Sequence, residues 1–137
     1  MSKISGVLET SLYVSNLELS TTFYQDIMKF RRLVMDQRFC ALSVSDRQVL
    51  LLFKQGASLQ AMTIAGGVIP PHDGHGELHV AFAIDPGELD SWEQHLNQNG
   101  VPIESRVEWE RGGHSLYFRD PDRHLVELVT PGCWAIY

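Results

Sequence analysis

The feature that most constrains this chain is that it repeats itself. The stretch Gly66-Gly67-Val68-Ile69-Pro70-Pro71-His72-Asp73-Gly74-His75-Gly76 is so rich in Gly and Pro that a helix or central strand is disfavoured there. It reads as a connector between two halves of about 65 and 61 residues, and the same series of patterns runs through both. In the first half, Val7 to Val14 alternates: Leu8, Leu12 and Val14 take one face, and Glu9, Ser11 and Tyr13 the other. This predicts a half-buried strand. Ser15-x-x-Glu18 has the form of a capping box at a helix start. Leu19, Phe23 and Ile27, joined by Tyr24 and Met28, then supply an apolar stripe. Strand-like segments follow at about 31–38, at Phe39 to Val44 and at Gln48 to Phe53.

The second half repeats the order. Leu78 to Ile84 is strand-like, with Val80, Phe82 and Ile84 opposite His79, Ala81 and Ala83. Asp85-Pro86-Gly87-Glu88 starts a helix with a capping Asp, Pro at its first position and Glu at its third. Leu89, Trp92 and Leu96 mark the buried face, and Gly100 ends the helix. Trp92 and Phe23 are expected in the core. Strands are expected at about 103–109, at Ser115 to Phe118 and at Leu125 to Val129, with Asp120-Pro121-Asp122 a tight turn between the last two. The expectation is an α+β protein of two tandem βαβββ modules, about 1–65 and 77–137, joined by connector 66–76. Each module alone leaves a sheet face uncovered, so the pair would form a partly closed, barrel-like cleft.

At 137 residues the chain is one domain long, enough to bury on the order of 68% of its unfolded surface. Eleven Lys and Arg against 17 Asp and Glu leave a net charge of −6, which argues against a nucleic-acid module or a polybasic membrane-surface protein. No apolar run approaches the roughly 20 residues that span a bilayer, and Met1 to Thr10 has no signal pattern. Cys40 and Cys133 form neither a disulfide framework nor a metal clip, and read as small core or near-surface thiols. These features describe a soluble, cytoplasmic protein with a small-molecule partner.

Strand parity nominates the cleft residues. Glu9, Ser11 and Tyr13 share a face, and His79 occupies in the second half the position of Glu9 in the first. Glu127 interrupts the apolar run Leu125-Val126-Glu127-Leu128-Val129, where a carboxylate is costly to bury without a partner. Leu51 is its counterpart in the first half. Three ligand-type residues therefore converge from three strands. Taken singly, Glu9 could be an edge-strand surface residue, His79 a core histidine, and Glu127 a partner of Arg119 or Arg123. His72, His75 and His79 have zinc-like spacing, but Gly74 and Gly76 disfavour the helical geometry such a site would need.

Val14-Ser15-Asn16-Leu17 with Phe23-Tyr24, then His79-Val80-Ala81-Phe82, then Tyr117-Phe118-Arg119-Asp120-Pro121-Asp122-Arg123-His124-Leu125-Val126-Glu127-Leu128 together resemble the vicinal oxygen chelate superfamily over essentially the whole chain. Its members include glyoxalase I, fosfomycin-resistance enzymes, extradiol dioxygenases and bleomycin-resistance binding proteins. The resemblance implies one divalent metal held at Glu9, His79 and Glu127, and a homodimer, since relatives often build the cleft across two chains. Members often carry His at the first of these positions, and glyoxalase I adds a fourth ligand where this chain has Leu51.

One imidazole and two carboxylates would leave coordination positions open for a substrate chelating through adjacent oxygens. Mixed N/O ligation suits Mn²⁺, Fe²⁺, Ni²⁺ or Zn²⁺. The likeness of Trp109 to Tyr117 to the substrate-gripping loop of fosfomycin-resistance relatives implies substrate contacts at Tyr117 and Arg111, with Ser11 facing the same cleft. An Arg fork can clamp a carboxylate or phosphonate. Where those relatives carry an arginine after the last strand, this chain has Gly132-Cys133-Trp134. The expected function is metal-dependent isomerisation, thiol transfer or ring cleavage of a small substrate. Glu127 and Tyr117 are the candidate catalytic groups, and either glutamate is a candidate proton shuttle. The rival is a non-catalytic, bleomycin-resistance-type binding protein.

Overall fold

The computed structural model describes residues 1–137, which divide into two compact units, Met1–His75 and Gly76–Tyr137. The first contains β1 (Glu9–Val14), α1 (Leu17–Asp26), β2 (Arg31–Met35), β3 (Phe39–Ser45) and β4 (Gln48–Lys54), followed by a small hairpin of β5 (Met62–Ile64) and β6 (Gly67–Ile69). The second contains β7 (His79–Ala83), a 3₁₀ turn at Pro86–Glu88, α2 (Leu89–Gln98), β8 (Ser105–Glu108), β9 (His114–Arg119) and β10 (Leu125–Val129). Each unit is a βαβββ module. The β5–β6 hairpin was not foreseen. It enters the segment expected to be only a connector, where Gly67 (φ 151°) supplies a backbone conformation open to glycine.

Both modules build an open four-stranded sheet of the same order, β1-β4-β3-β2 and β7-β10-β9-β8, in which the first strand pairs in parallel with the last. Glu9 lies opposite Val49 and Ser11 opposite Leu51 in the first sheet; His79 lies opposite Leu125 and Ala81 opposite Glu127 in the second. Register thus makes His79 the counterpart of Glu9, and Glu127 the counterpart of Leu51. Parity is also shared. Leu12, Val14, Cys40, Leu42, Leu50 and Leu52 are buried on one face of the first sheet, and Phe82, Leu116, Phe118, Val126 and Leu128 on one face of the second. The odd-numbered positions of these strands, Glu9, Ser11, His79 and Glu127 among them, occupy the opposite face.

The helices correct the sequence reading in detail. Asn16, not Ser15, caps α1: its Oδ1 accepts from the Leu19 N–H at 3.0 Å. The buried face of α1 is Leu17, Ser20, Thr21 and Tyr24, continued by Met28, whereas Leu19 is 55% exposed. Small Ser20 and Thr21 let the helix lie close on β3 and β4, with Thr21 against Cys40. Asp85 makes no side-chain cap bond at the start of the second helical segment, although Pro86 opens it as expected. α2 ends in a Schellman motif: Gly100 has φ 69°, the Val101 N–H reaches Leu96 O at 2.9 Å, and the Gly100 N–H reaches Asn97 O at 3.2 Å. Only Leu96 of the expected α2 stripe is fully buried; Leu89 and Trp92 are half-buried. No helix is long and apolar enough to cross a membrane.

The turn from β9 to β10 is an Asp-centred loop. Asp120 Oδ1 accepts from the N–H groups of Asp122 (3.0 Å) and His124 (2.8 Å), and Arg123 takes φ 67°. Fully buried His124 then accepts at Nδ1 from the Leu78 N–H (2.9 Å), tying the start of β7 to this turn. The turn and the imidazole together hold His79 and Glu127 in register.

Candidate functional site

In the second unit, β7 and β10 bring His79 and Glu127 side by side, with Nε2 3.3 Å from Oε1. The two groups are differently placed: the His79 side chain is 51% exposed and that of Glu127 only 7%. His79 Nδ1 lies 2.9 Å from the carbonyl oxygen of Leu125. A carbonyl can only accept, so Nδ1 carries the hydrogen and the imidazole is oriented with Nε2 toward the carboxylate. The other carboxylate oxygen, Oε2, accepts from the Ser115 hydroxyl at 2.5 Å, and Ser115 Oγ accepts from the Trp109 indole N–H at 2.8 Å. Arg119 and Arg123, considered as partners for Glu127, are engaged elsewhere: Arg119 with Glu104 and Glu77, and Arg123 with Glu77.

Tyr117 is the cross-strand neighbour of Glu127, and its ring centroid is 6.4 Å from that of His79. Burial pushes its phenol above the usual value of 10.0, reinforced by the nearby Glu127 carboxylate, so it is a neutral hydrogen-bond donor at ordinary pH. Burial and then Glu127 also raise the Cys133 thiol. Arg111 is exposed on the turn between β8 and β9, where Trp109 N–H bonds Gly113 O at 2.7 Å. Gly113 and Gly132 allow that turn to touch the segment after β10, Gly113 N–H meeting Gly132 O at 3.3 Å.

Glu9 and Ser11 stand on β1 of the first unit, and neither unit by itself brings together three His, Cys, Asp or Glu side chains that could hold a metal ion. Both residues line a cavity of about 650 Å³ within that unit. The strand sequence supplies its wall: Tyr13 on β1, Phe53 on β4 and Phe39 on β3 are direct cross-strand partners and form a row of rings. His72 packs edge-on to Phe53 (4.5 Å between centroids), with Nδ1 2.7 Å from the Tyr13 hydroxyl. The zinc reading of the histidine-rich connector finds no cluster to support it.

The donor chemistry of the His79–Glu127 pair fits a divalent cation. Each side chain has one atom committed to the protein and one facing its neighbour. His79 Nε2 and Glu127 Oε1, 3.3 Å apart, are an imidazole nitrogen and a carboxylate oxygen, the donor types that would hold such a cation. The carbonyl behind His79 and the hydroxyl behind Glu127 are the kind of outer partners that fix metal ligands. Ser115 and Trp109 were not nominated from sequence. Their signal was the alternation that puts Ser115 on the same sheet face as Glu127.

A βαβββ duplication with these residues on the open faces of its sheets defines a class of protein, and comparison with known proteins identifies it. Residues 6–128 match the Glyoxalase/Bleomycin resistance protein/Dioxygenase superfamily, and the chain belongs to that family. Among curated relatives it is similar to the metallothiol transferase FosB of Staphylococcus saprophyticus, 31% identical over 93% of this chain and 78% of that protein. It is also similar to the fosfomycin resistance protein FosX of Listeria monocytogenes, 32% identical over 91% of this chain and 89% of that protein. Among solved structures, a lactoylglutathione lyase from Agrobacterium tumefaciens superposes with a TM-score of 0.88 at 29% identity, covering 98% of this chain and 99% of the other.

Proposed function

We propose that the protein is a divalent-metal-dependent enzyme acting on a small substrate that offers adjacent oxygens, by adding a nucleophile to it or by isomerising it. The observation that carries this reading is the buried Glu127 carboxylate facing the Nε2 of a histidine whose Nδ1 is already committed. His79 and Glu127 would hold the metal together with Glu9, the register counterpart of His79 on the first unit. Mn²⁺, Fe²⁺, Ni²⁺ and Zn²⁺ all suit such a donor set. A metal held there stabilises oxyanion charge developing on a chelated substrate.

The protein's own groups do the rest. Tyr117, kept neutral, donates a hydrogen bond beside Glu127 and orients the substrate. Ser115 holds one oxygen of Glu127, which leaves the other to bind or to move a proton. Arg111 is exposed with no acidic partner and is free to meet an anionic substrate group, and Ser11 lies on the same strand face as Glu9. The names of the FosB, FosX and lactoylglutathione lyase relatives support an enzyme over a purely sequestering protein. We further place the protein in the cytoplasm as a homodimer, supported by its two free thiols and by β1 and β7 being terminal strands of their own sheets.

Elemental analysis of protein purified without a metal-chelating tag tests the reading, alongside His79→Ala. About one divalent ion per chain, lost in the variant, is the expected result. No metal in either sample after incubation with Mn²⁺, Fe²⁺, Ni²⁺ and Zn²⁺ would overturn it in favour of a binding protein. Light scattering of the eluted protein at twice the chain mass is the result expected for the dimer.

A further inference from the structure

The cavity of the first unit has features that metal chemistry does not require. Across three strands its wall changes character in steps of two residues. Glu9 stands at one end, Ser11 and Leu51 in the middle, and the row Tyr13, Phe53 and Phe39 at the other. At about 3.3 Å per residue this face runs roughly 13 Å from Glu9 to Tyr13. The Tyr13 and Phe53 rings are 6.0 Å apart with an interplanar angle of 27°, and those of Phe39 and Phe53 are 5.7 Å apart at 23°. They form a stacked row of near-parallel rings along the cavity wall. At about 650 Å³ the cavity has the size of a small-molecule site.

Two polar groups at this cavity lack partners. Arg38 lines it with its guanidinium carbon 5.9 Å from the centre of the Phe39 ring, and none of the ion pairs in the structure involves it. Ser58 also lines it. Its residue is 6% exposed and its hydroxyl has no hydrogen-bond partner. A buried hydroxyl left unsatisfied is unfavourable, and a ligand oxygen would satisfy it. The wall is already set. The His72 N–H bonds Ser58 O at 3.0 Å, Tyr13 is held by His72, and the chain at Gly74 lies so close to the Tyr13 ring that a Cβ there would stand 2.4 Å from it.

We propose that this cavity binds a planar aromatic acid, its ring on the Tyr13–Phe53–Phe39 surface and its acid group met by Arg38 and the Ser58 hydroxyl. An aromatic ring gains from edge-to-face or offset packing against such a row, and a carboxylate matches a guanidinium fork that no ion pair engages. The inference deepens the proposed function by naming a ligand class for the first-unit cavity that Glu9 lines. It rests on that reading only for the assignment of Glu9.

The test uses the full-length protein, as purified and after dialysis against EDTA, titrated calorimetrically with 1-naphthoate, cyclohexanecarboxylate and 1-naphthalenemethanol. Naphthoate is expected to bind at least fivefold more tightly than either comparison compound, in both preparations. Amide and ring shifts in NMR spectra are expected at Tyr13, Phe39, Phe53 and His72. Arg38→Gln is expected to weaken naphthoate at least fivefold and leave naphthalenemethanol unchanged. Ser58→Ala is expected to weaken naphthoate without lowering Tm, since it removes an unsatisfied hydroxyl. Absence of naphthoate binding, equal binding of cyclohexanecarboxylate, or shifts confined to residues 76–137 would overturn the inference. Because the EDTA-treated protein is included, a missing metal would count against the enzyme reading alone, and missing naphthoate binding against this inference alone.

Discussion

The hydroxyl of Ser115 donates to Glu127 Oε2 across 2.5 Å, and both residues are buried. The same hydroxyl receives the indole N–H of Trp109, so one oxygen connects the loop before β9 to the carboxylate on β10. Ser115→Ala leaves an indole N–H and a buried carboxylate oxygen without that partner. The expected cost is about 1–3 kcal/mol, read from urea denaturation. Metal affinity is expected to fall by about 10–100-fold, as for other outer partners of metal ligands. Titration with Mn²⁺ checks the second effect; unchanged affinity would mean that Ser115 supports the fold and not the site.

Gly113 and Gly132 approach too closely for any other residue. A Cβ on Gly113 would stand 2.7 Å from the Gly132 carbonyl carbon and 2.9 Å from Thr130 O, both backbone atoms. Gly113→Ala is expected to destabilise by about 1–3 kcal/mol, the usual range for overpacking. Gly66→Ala is the comparison: nothing lies within 4 Å of its Cβ and its φ is unremarkable. Its expected effect is within about 0.5 kcal/mol, measured in the same denaturation series.

Because Asn16 rather than Ser15 caps α1, the two Ala variants should differ. Asn16→Ala removes the acceptor for the Leu19 N–H and is expected to cost about 1 kcal/mol. Ser15→Ala is expected to fall within about 0.5 kcal/mol. The opposite ranking in thermal melts would restore the capping box that the sequence suggested.

Arg119 holds the Glu104 carboxyl below its ordinary 4.5, chiefly through their hydrogen bond. A depressed carboxyl contributes stability above its unfolded value and loses it as pH falls through the folded one. Glu104→Gln should therefore melt below the unaltered protein at pH 7, and the gap should close as pH drops below 4.5. A gap that stays constant down to pH 3 would trace the effect to packing rather than charge.

Much of the fold was legible because its signals are local. Period-two alternation identified β1 and β7 and the face of each residue, and an apolar run interrupted by Glu127 identified β10. Laying one half of the repeat on the other paired His79 with Glu9 and Glu127 with Leu51, the correspondence that sheet register carries. Gly100 ended α2 where its positive φ was needed. Local signals misled where a neighbour far along the chain decides the outcome. The apolar stripe of α1 named Leu19, but the sheet selects the face on which Ser20 and Thr21 permit close approach.

The sequence by itself determined the duplicated βαβββ plan, the sheet faces, and which residue types stand where chemistry is possible. Only the tertiary structure decided what those residues touch. It gave Glu127 to His79 and Ser115 rather than to Arg119 or Arg123, brought His72 from the connector onto Tyr13, and left the Ser58 hydroxyl without a hydrogen-bond partner. The physical reason is distance along the chain. Strand period and helix caps act over a few residues, whereas these contacts join positions 12 to 59 apart. They exist only once the sheets have fixed their register.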